Sequence, residues 1–279
     1  MAFTTQELQK AYVAYQKFRS TNPPPHHERY IFPFFAGSYF SYRKIDIMRI
    51  AAISTSLSDN PSYIDVGCGY GDFLKKIREF IPNAIGIEKN RSIFYSLQIA
   101  KPDYIYSSAV EELDKNAFDV AFVGWMEPGV DFRRYVASFA RCIITTFDSG
   151  GQCGVSGGCE YEEFGLERIA WWRTPSWIDI NTELMNRFYT PALTKNNGKK
   201  KEELAAFRTA HNLWHVYARP DTADKVVSSL KLQLVREKQL FMRERFEFEK
   251  LLDECGFHYK EELPLLLSKE KRLWKVSFD

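Results

Sequence analysis

Asp65-Val66-Gly67-Cys68-Gly69-Tyr70-Gly71-Asp72 is the stretch from which the fold is read. Just before and into it, Tyr63-Ile64-Asp65-Val66 is a short, mostly apolar run of the kind that forms a strand buried in a parallel sheet. After it, Asp72 to Phe80 carries helical spacing. Glycines at 67, 69 and 71 fill the turn between strand and helix. Lacking Cβ atoms, such a turn lets a ligand touch the main chain. Glu88 stands 21 residues after Gly67, at the end of the next strand signal, Ala84 to Glu88. A carboxylate there faces the ligand crevice of a doubly wound sheet and can accept from the two hydroxyls of a ribose.

The alternation continues outward. A helix is predicted over 92–100, a third strand over Tyr104 to Tyr106, and a short helix near 109–114. Phe118 to Val123 is a fourth strand, 132–140 a helix, and Cys142 to Phe147 a fifth strand. Strands separated by helices at this spacing predict βαβ units and a parallel sheet. Residues 246–255 read as a closing helix, with strands at 258–267 and 272–278 around the turn Ser268-Lys269-Glu270-Lys271. The expected fold is α/β: a doubly wound, seven-stranded, mostly parallel sheet. Its core is residues 61–148 plus 246–279, with an insertion after strand five. Residues 1–60 form an N-terminal extension, a cap or lid with helices at 4–19 and 43–58. Residues 149–245 are the insertion and the expected acceptor-binding region, opening on the glycine-dense loop Ser149 to Cys159.

Composition bounds the function. The 279 residues carry 38 basic and 36 acidic side chains, a net charge of +2, so no global field marks a nucleic-acid or anionic-membrane partner. Five cysteines, an odd number, do not read as a secreted disulfide framework and point to reduced thiols and a cytoplasmic protein. The longest uncharged stretch, Tyr30 to Tyr42, is too short and too broken to span a membrane. Aromatic residues make up 15%, which suits a large aromatic core or an aromatic-walled pocket.

Glycine spacing separates two nucleotide readings. The dinucleotide fingerprint G-x-G-x-x-G puts a glycine where this chain has Asp72. An acid at the helix start disfavours a pyrophosphate and suits a cationic or amino-bearing ligand, so a nicotinamide oxidoreductase is disfavoured. The pattern resembles the class I S-adenosylmethionine-dependent methyltransferases, whose first motif is acid-x-Gly-x-Gly-x-Gly. The resemblance covers about 62–147 and 246–279. It implies S-adenosyl-L-methionine as cofactor and a methyl transfer as the reaction. It also implies a cofactor site: Gly67, Cys68, Gly69 and Gly71 form the turn, Asp65 or Asp72 meets the amino group, and Glu88, followed by Lys89, holds the ribose. Ser108 and Ala109 lie at the adenine position, where family members often carry an aspartate, and Gly124 and Trp125 lie near the methyl.

After strand four comes Gly124-Trp125-Met126-Glu127-Pro128-Gly129. Neither an Asn-Pro-Pro-Tyr motif nor a Pro-Cys nucleophile stands there, which disfavours base-N6, glutamine and cytosine-C5 methylation. Glu127 is a candidate base or amine binder. His211 and His215, four apart, are candidate bases on one helical turn; with no glutamate at 212 they lack the zincin pattern, and no metal is expected. Phe34, Phe35, Tyr39, Phe40, Trp171, Trp172 and Trp177 suit an apolar, aromatic or lipid-like small acceptor better than nucleic acid, or serve only as core. An RNA or protein acceptor, and a non-catalytic partner or sensor domain that binds the cofactor, are the alternatives.

Overall fold

In a computed structural model, the described residues are 42, 44–90, 100–115, 117–124, 126, 129–148, 154, 160–174, 212–240 and 275–279. The chain divides into two compact units. One comprises Lys44–Trp172, Leu213–Glu244 and Val276–Asp279, and holds nearly all the described residues. The other comprises Met1–Arg43, Arg173–Asn212 and Arg245–Lys275.

Helix α1 (Lys44–Leu57) precedes β1 (Tyr63–Val66), α2 (Asp72–Ile77), β2 (Ile85–Ile87) and β3 (Ile105–Tyr106). A 3-10 turn (Val110–Glu112), β4 (Phe118–Gly124), α3 (Arg133–Phe139) and β5 (Ala140–Asp148) follow. After a second 3-10 turn (Glu162–Phe164) come β6 (Glu167–Thr174), β7 (Asn212–Ala218), α4 (Pro220–Leu240) and β8 (Ser277–Phe278). The strands form one 8-stranded sheet in the order β3-β2-β1-β4-β5-β7-β6-β8. Strands β1 to β5 pair in parallel, Asp65 lying beside Gly86 and Phe122, and Phe122 beside Ile144. The chain builds outward from β1 to β3, then returns to lay β4 on the other edge of β1. That reversal opens a crevice beyond the carboxyl ends of β1 and β4, where doubly wound sheets bind ligands.

The doubly wound class is as the sequence predicts; the outer strands differ. Strands at 167–174 and 212–218, inside the stretch expected as an insertion, join the sheet ahead of the pair expected at 258–267 and 272–278. Of the latter pair, only Ser277–Phe278 is seen as strand; it adds an eighth strand antiparallel to β6, Phe278 beside Ala170. The stretch 149–245 therefore supplies two strands and α4 to the sheet and its cover. Likewise α1, from the N-terminal extension, lies in the same unit as the sheet. The helices expected at 4–19, 92–100 and 246–255 and the strand at 258–267 lie outside the described residues.

Both faces of the sheet are apolar. Ile64, Val66, Ile87, Ala121, Val123 and Ile143 share one face with Val136, Ala137 and Phe139 of α3. Strand alternation turns Tyr63, Asp65 and Phe122 to the other face. There Phe73 of α2 meets Phe122 at 4.7 Å, and both rings meet Trp214 at 6.1 and 5.8 Å. Trp172 stacks on Trp214 at 5.3 Å and 13°. Burial of each such ring contributes roughly 1.5–3 kcal/mol. Trp172 is thus core rather than an acceptor wall, and Trp171 is half-buried against the first face.

Helix α1 buries Asp46, Ile47, Arg49, Ile50, Ile53 and Ser54, a stripe at three- and four-residue spacing. Hydroxyls of Ser54, Thr55 and Ser56 donate back to carbonyls one turn earlier, and Pro61 lies beyond its end. Helix α4 starts on Pro220, whose missing N–H is no loss at a first helical position. It packs on α1, Ser229 Oγ donating to the Ala52 carbonyl at 2.8 Å. Among the described residues no helix is long and apolar enough to cross a membrane.

Candidate active site

The glycine turn is laced to β2. The amides of Gly67 and Cys68 both donate to the Ile87 carbonyl, at 2.9 and 3.1 Å. Gly67, Gly69 and Gly71 hold φ values of 69°, 57° and 82°, the left-handed region that other residues resist. At Gly71 a Cβ would sit 2.5 Å from Ile105 Cδ1. At Gly67 it would meet nothing within 4 Å, so the turn leaves open space over its first glycine.

That space belongs to a cleft of about 260 Å³ at the strand ends. Its wall is Val66 and Gly67 after β1, Ile87, Glu88 and Lys89 after β2, and Ser108 to Glu111 after β3. Gly124, Met126, Val130 and Phe132 close it beyond β4. Glu88 is fixed by two main-chain donors: Gly69 N–H to Oε2 at 2.9 Å and Asn90 N–H to Oε1 at 2.8 Å. A carboxylate oxygen accepts about two hydrogen bonds, so each keeps a lone pair for a ligand. A vicinal diol matches that donor demand, and the room over Gly67 admits the atoms attached to it.

Six sequence-predicted cofactor residues come together on this wall: Gly67, Glu88, Lys89, Ser108, Ala109 and Gly124. Asp65, Cys68, Gly69, Gly71 and Asp72 support the turn and are not among the residues lining the cleft. Asp65 is buried; its carboxyl is held well above the usual range by burial, then by the charges of Asp72 and Glu88. The Cys68 thiol is buried and raised for the same reasons, burial first and then Asp65 and Glu88, and it donates weakly to the Gly69 carbonyl, so it is no nucleophile. Burial therefore favours the neutral forms of Asp65 and Cys68, and the charges beside the turn are those of Asp72 and Glu88, which disfavour a pyrophosphate.

Trp125, Glu127 and His211 lie outside the described residues. His215 is on β7, buried, edge-on to Phe147 at 4.7 Å, with Nδ1 3.2 Å from the Tyr217 hydroxyl. From Asn212 the chain is extended, not helical. His215 therefore stands on a strand and not on a helical turn. Among the described residues no group of three His, Cys, Asp or Glu could hold a metal ion. Sequence reasoning missed Val66, Ile87, Val110, Glu111, Met126, Val130 and Phe132 as wall residues. Val66 and Ile87 were legible as the apolar neighbours of Gly67 and Glu88.

Gly67→Leu separates fold from site. A left-handed non-glycine residue costs roughly 1–2 kcal/mol, which the unit should survive. The side chain would enter the open space, so nucleoside binding should be lost while a cooperative thermal melt remains. Wild-type binding in a variant that melts cooperatively would place the ligand elsewhere.

The sheet order, the crevice at its reversal and a glycine turn facing a strand-end carboxylate are those of a doubly wound, mostly parallel α/β fold. No protein-family model and no curated protein matches the chain. Solved structures similar to it include the YcgJ protein of Bacillus subtilis, 10% identical over 63% of this chain and 97% of that one, TM-score 0.39. A geranyl diphosphate C-methyltransferase of Streptomyces coelicolor, held with S-adenosyl-L-homocysteine, is 13% identical over 62% and 79%, TM-score 0.41. A phosphoethanolamine N-methyltransferase of Haemonchus contortus, also with S-adenosylhomocysteine, is 12% identical over 62% and 52%, TM-score 0.40. At these identities and scores, none of them assigns a residue or an activity to this chain.

Proposed function

We infer that this protein binds S-adenosylmethionine in the cleft and transfers its methyl group to a small, largely apolar acceptor. The observation that carries this reading is that one cleft joins Gly67, Glu88, Ser108 with Ala109, and Gly124. Glu88 would hold the ribose diol, the Ser108–Val110 wall the base, and the open space over Gly67 the chain leading to sulfur. The carboxylates of Asp72 and Glu88 suit a ligand that carries a sulfonium and an ammonium. The cofactor, when bound, supplies an electrophilic methyl. What this chain must add is alignment of an acceptor on the side of Gly124, since reacting atoms need a separation of about 3–3.5 Å and an open line of approach. Met126, Val130 and Phe132 make that side apolar, which supports an apolar rather than a phosphate-rich acceptor.

Calorimetry against S-adenosylmethionine, S-adenosylhomocysteine and NAD tests the cofactor; binding of the first two and not the third is expected. Labelled-methyl transfer into a host extract fractionated by mass then tests catalysis. Label in small organic-soluble molecules is expected. Label in RNA or protein would replace the acceptor class, and cofactor binding without turnover would leave a sensor domain.

A further inference from the structure

We propose that the outer face of α4 docks on an anionic lipid surface, Leu232 and Val235 entering it between the cations Lys231 and Arg236. Helix α4 buries Thr222, Val226, Leu230, Gln233 and Glu237 along one side. At 3.6 residues per turn, Leu232 and Val235 fall on the opposite side. Each is 53% exposed, more than any other large apolar side chain among the described residues. Three residues apart, they are neighbours on the helix surface. Lys231 and Arg236, both exposed, stand roughly 70° to either side of the pair's centre. No exposed acid lies between Ser228 and Glu237, whose carboxylate is buried against Arg49. From β8, Phe278 lies under Lys231, its ring centroid 5.2 Å from Nζ, and the adjoining Asp279 is engaged by Arg168. The charge of +2 spread over the whole chain gives no general attraction, so this face acts locally.

An aliphatic centre between two cations is complementary to a headgroup layer: the acyl boundary takes the side chains, and anionic groups meet the cations. Nucleic acid offers phosphates but nothing for two aliphatic side chains, and these four residues include no aromatic ring to stack on a base. The face also lies toward the cleft. Helix α1 runs through 58–62 into β1, so its carboxyl end is at the amino ends of the strands. Ser229 bonds to Ala52 and Glu237 to Arg49, so α4 runs antiparallel to α1 and its carboxyl half points to the cleft end. A bilayer on this face would meet the same end of the unit as the cleft, which suits an apolar acceptor.

Co-sedimentation of the full chain with vesicles of phosphatidylcholine, with and without phosphatidylserine, reads the docking. Binding to the anionic vesicles should exceed binding to the neutral ones at least about tenfold, and should fall as salt is raised. Reversing both cations, Lys231→Glu with Arg236→Glu, should lower it at least about tenfold, since each reversal turns an attraction into a repulsion. Leu232→Ser with Val235→Ser should lower it about tenfold and leave the thermal melt near wild type, because both side chains are exposed. Tyr135→Ser, which removes an exposed ring from α3, should change nothing. No preference for anionic vesicles overturns the proposal, as does wild-type binding by either double variant or an equal loss in Tyr135→Ser. Self-association in sedimentation velocity that Leu232→Ser with Val235→Ser abolishes would assign the face to a second copy and overturn it too. The docking does not depend on the cofactor reading: S-adenosylhomocysteine binding tests that separately, and either can fail alone.

Discussion

Replacing Glu88 with alanine should weaken S-adenosylhomocysteine binding by about 1.5–3 kcal/mol, or roughly ten- to 150-fold, the range for hydrogen bonds to a charged group. The carboxylate does two things at once. Toward the protein it accepts from Gly69 and Asn90, tying the glycine turn to the end of β2. Toward the cleft it offers the remaining lone pairs to a diol. Alanine removes both, so the turn loses a restraint as the ligand loses a partner. Glu88→Gln should fall between, because one amide edge is a donor and would face either the Gly69 or the Asn90 N–H. Titration calorimetry on variants that melt cooperatively gives the answer. A folded Glu88→Ala protein with wild-type affinity would move the ribose away from β2 and remove the main support for the cofactor site.

What was legible in the sequence was whatever is local along the chain. Asp65 to Asp72 and Glu88 needed only the rule that a strand-end turn and a neighbouring strand-end acid converge, and the parallel pairing of Val66 with Ile87 and Val123 supplies that convergence. The strands β1, β4 and β5 are apolar runs because parallel sheets are covered on both faces. The outer strands failed for the opposite reason. Glu167 to Thr174 mixes charged and aromatic residues, and Trp171 and Trp172 suggested an acceptor-binding insertion rather than a strand of the sheet. Leu213 to Tyr217 is buried throughout, and the spacing of His211 and His215, four apart, suggested a helical turn there. That β7 inserts between β5 and β6 is a long-range choice no local period encodes.

Glu237→Ala should destabilise the protein by about 3–5 kcal/mol, the range for breaking a buried ion pair by removing one partner. Arg49 on α1 reaches Glu237 on α4 through two parallel bonds, Nε to Oε1 at 3.0 Å and Nη2 to Oε2 at 2.8 Å. Their side chains are 2% and 7% exposed, so water cannot replace the lost carboxylate. Asp46 stands 3.8 Å from Arg49 and accepts from the Trp172 indole at 2.8 Å, and the guanidinium lies 5.2 Å from the Trp172 ring centroid. These neighbours orient Arg49 but do not reproduce a bidentate partner, and a shift of Arg49 toward Asp46 would move the loss to the lower end of the range. For a unit of this size the loss corresponds to a fall in Tm of roughly 6–20 °C. The double replacement Arg49→Met with Glu237→Leu should recover much of it, because both desolvated charges are removed together and the volume stays filled. Differential scanning calorimetry of the wild type, the single and the double variant distinguishes the cases. A single variant within about 1 kcal/mol of wild type would mean that the pair is solvated in solution and that apolar contacts and the Ser229–Ala52 hydrogen bond hold α1 and α4.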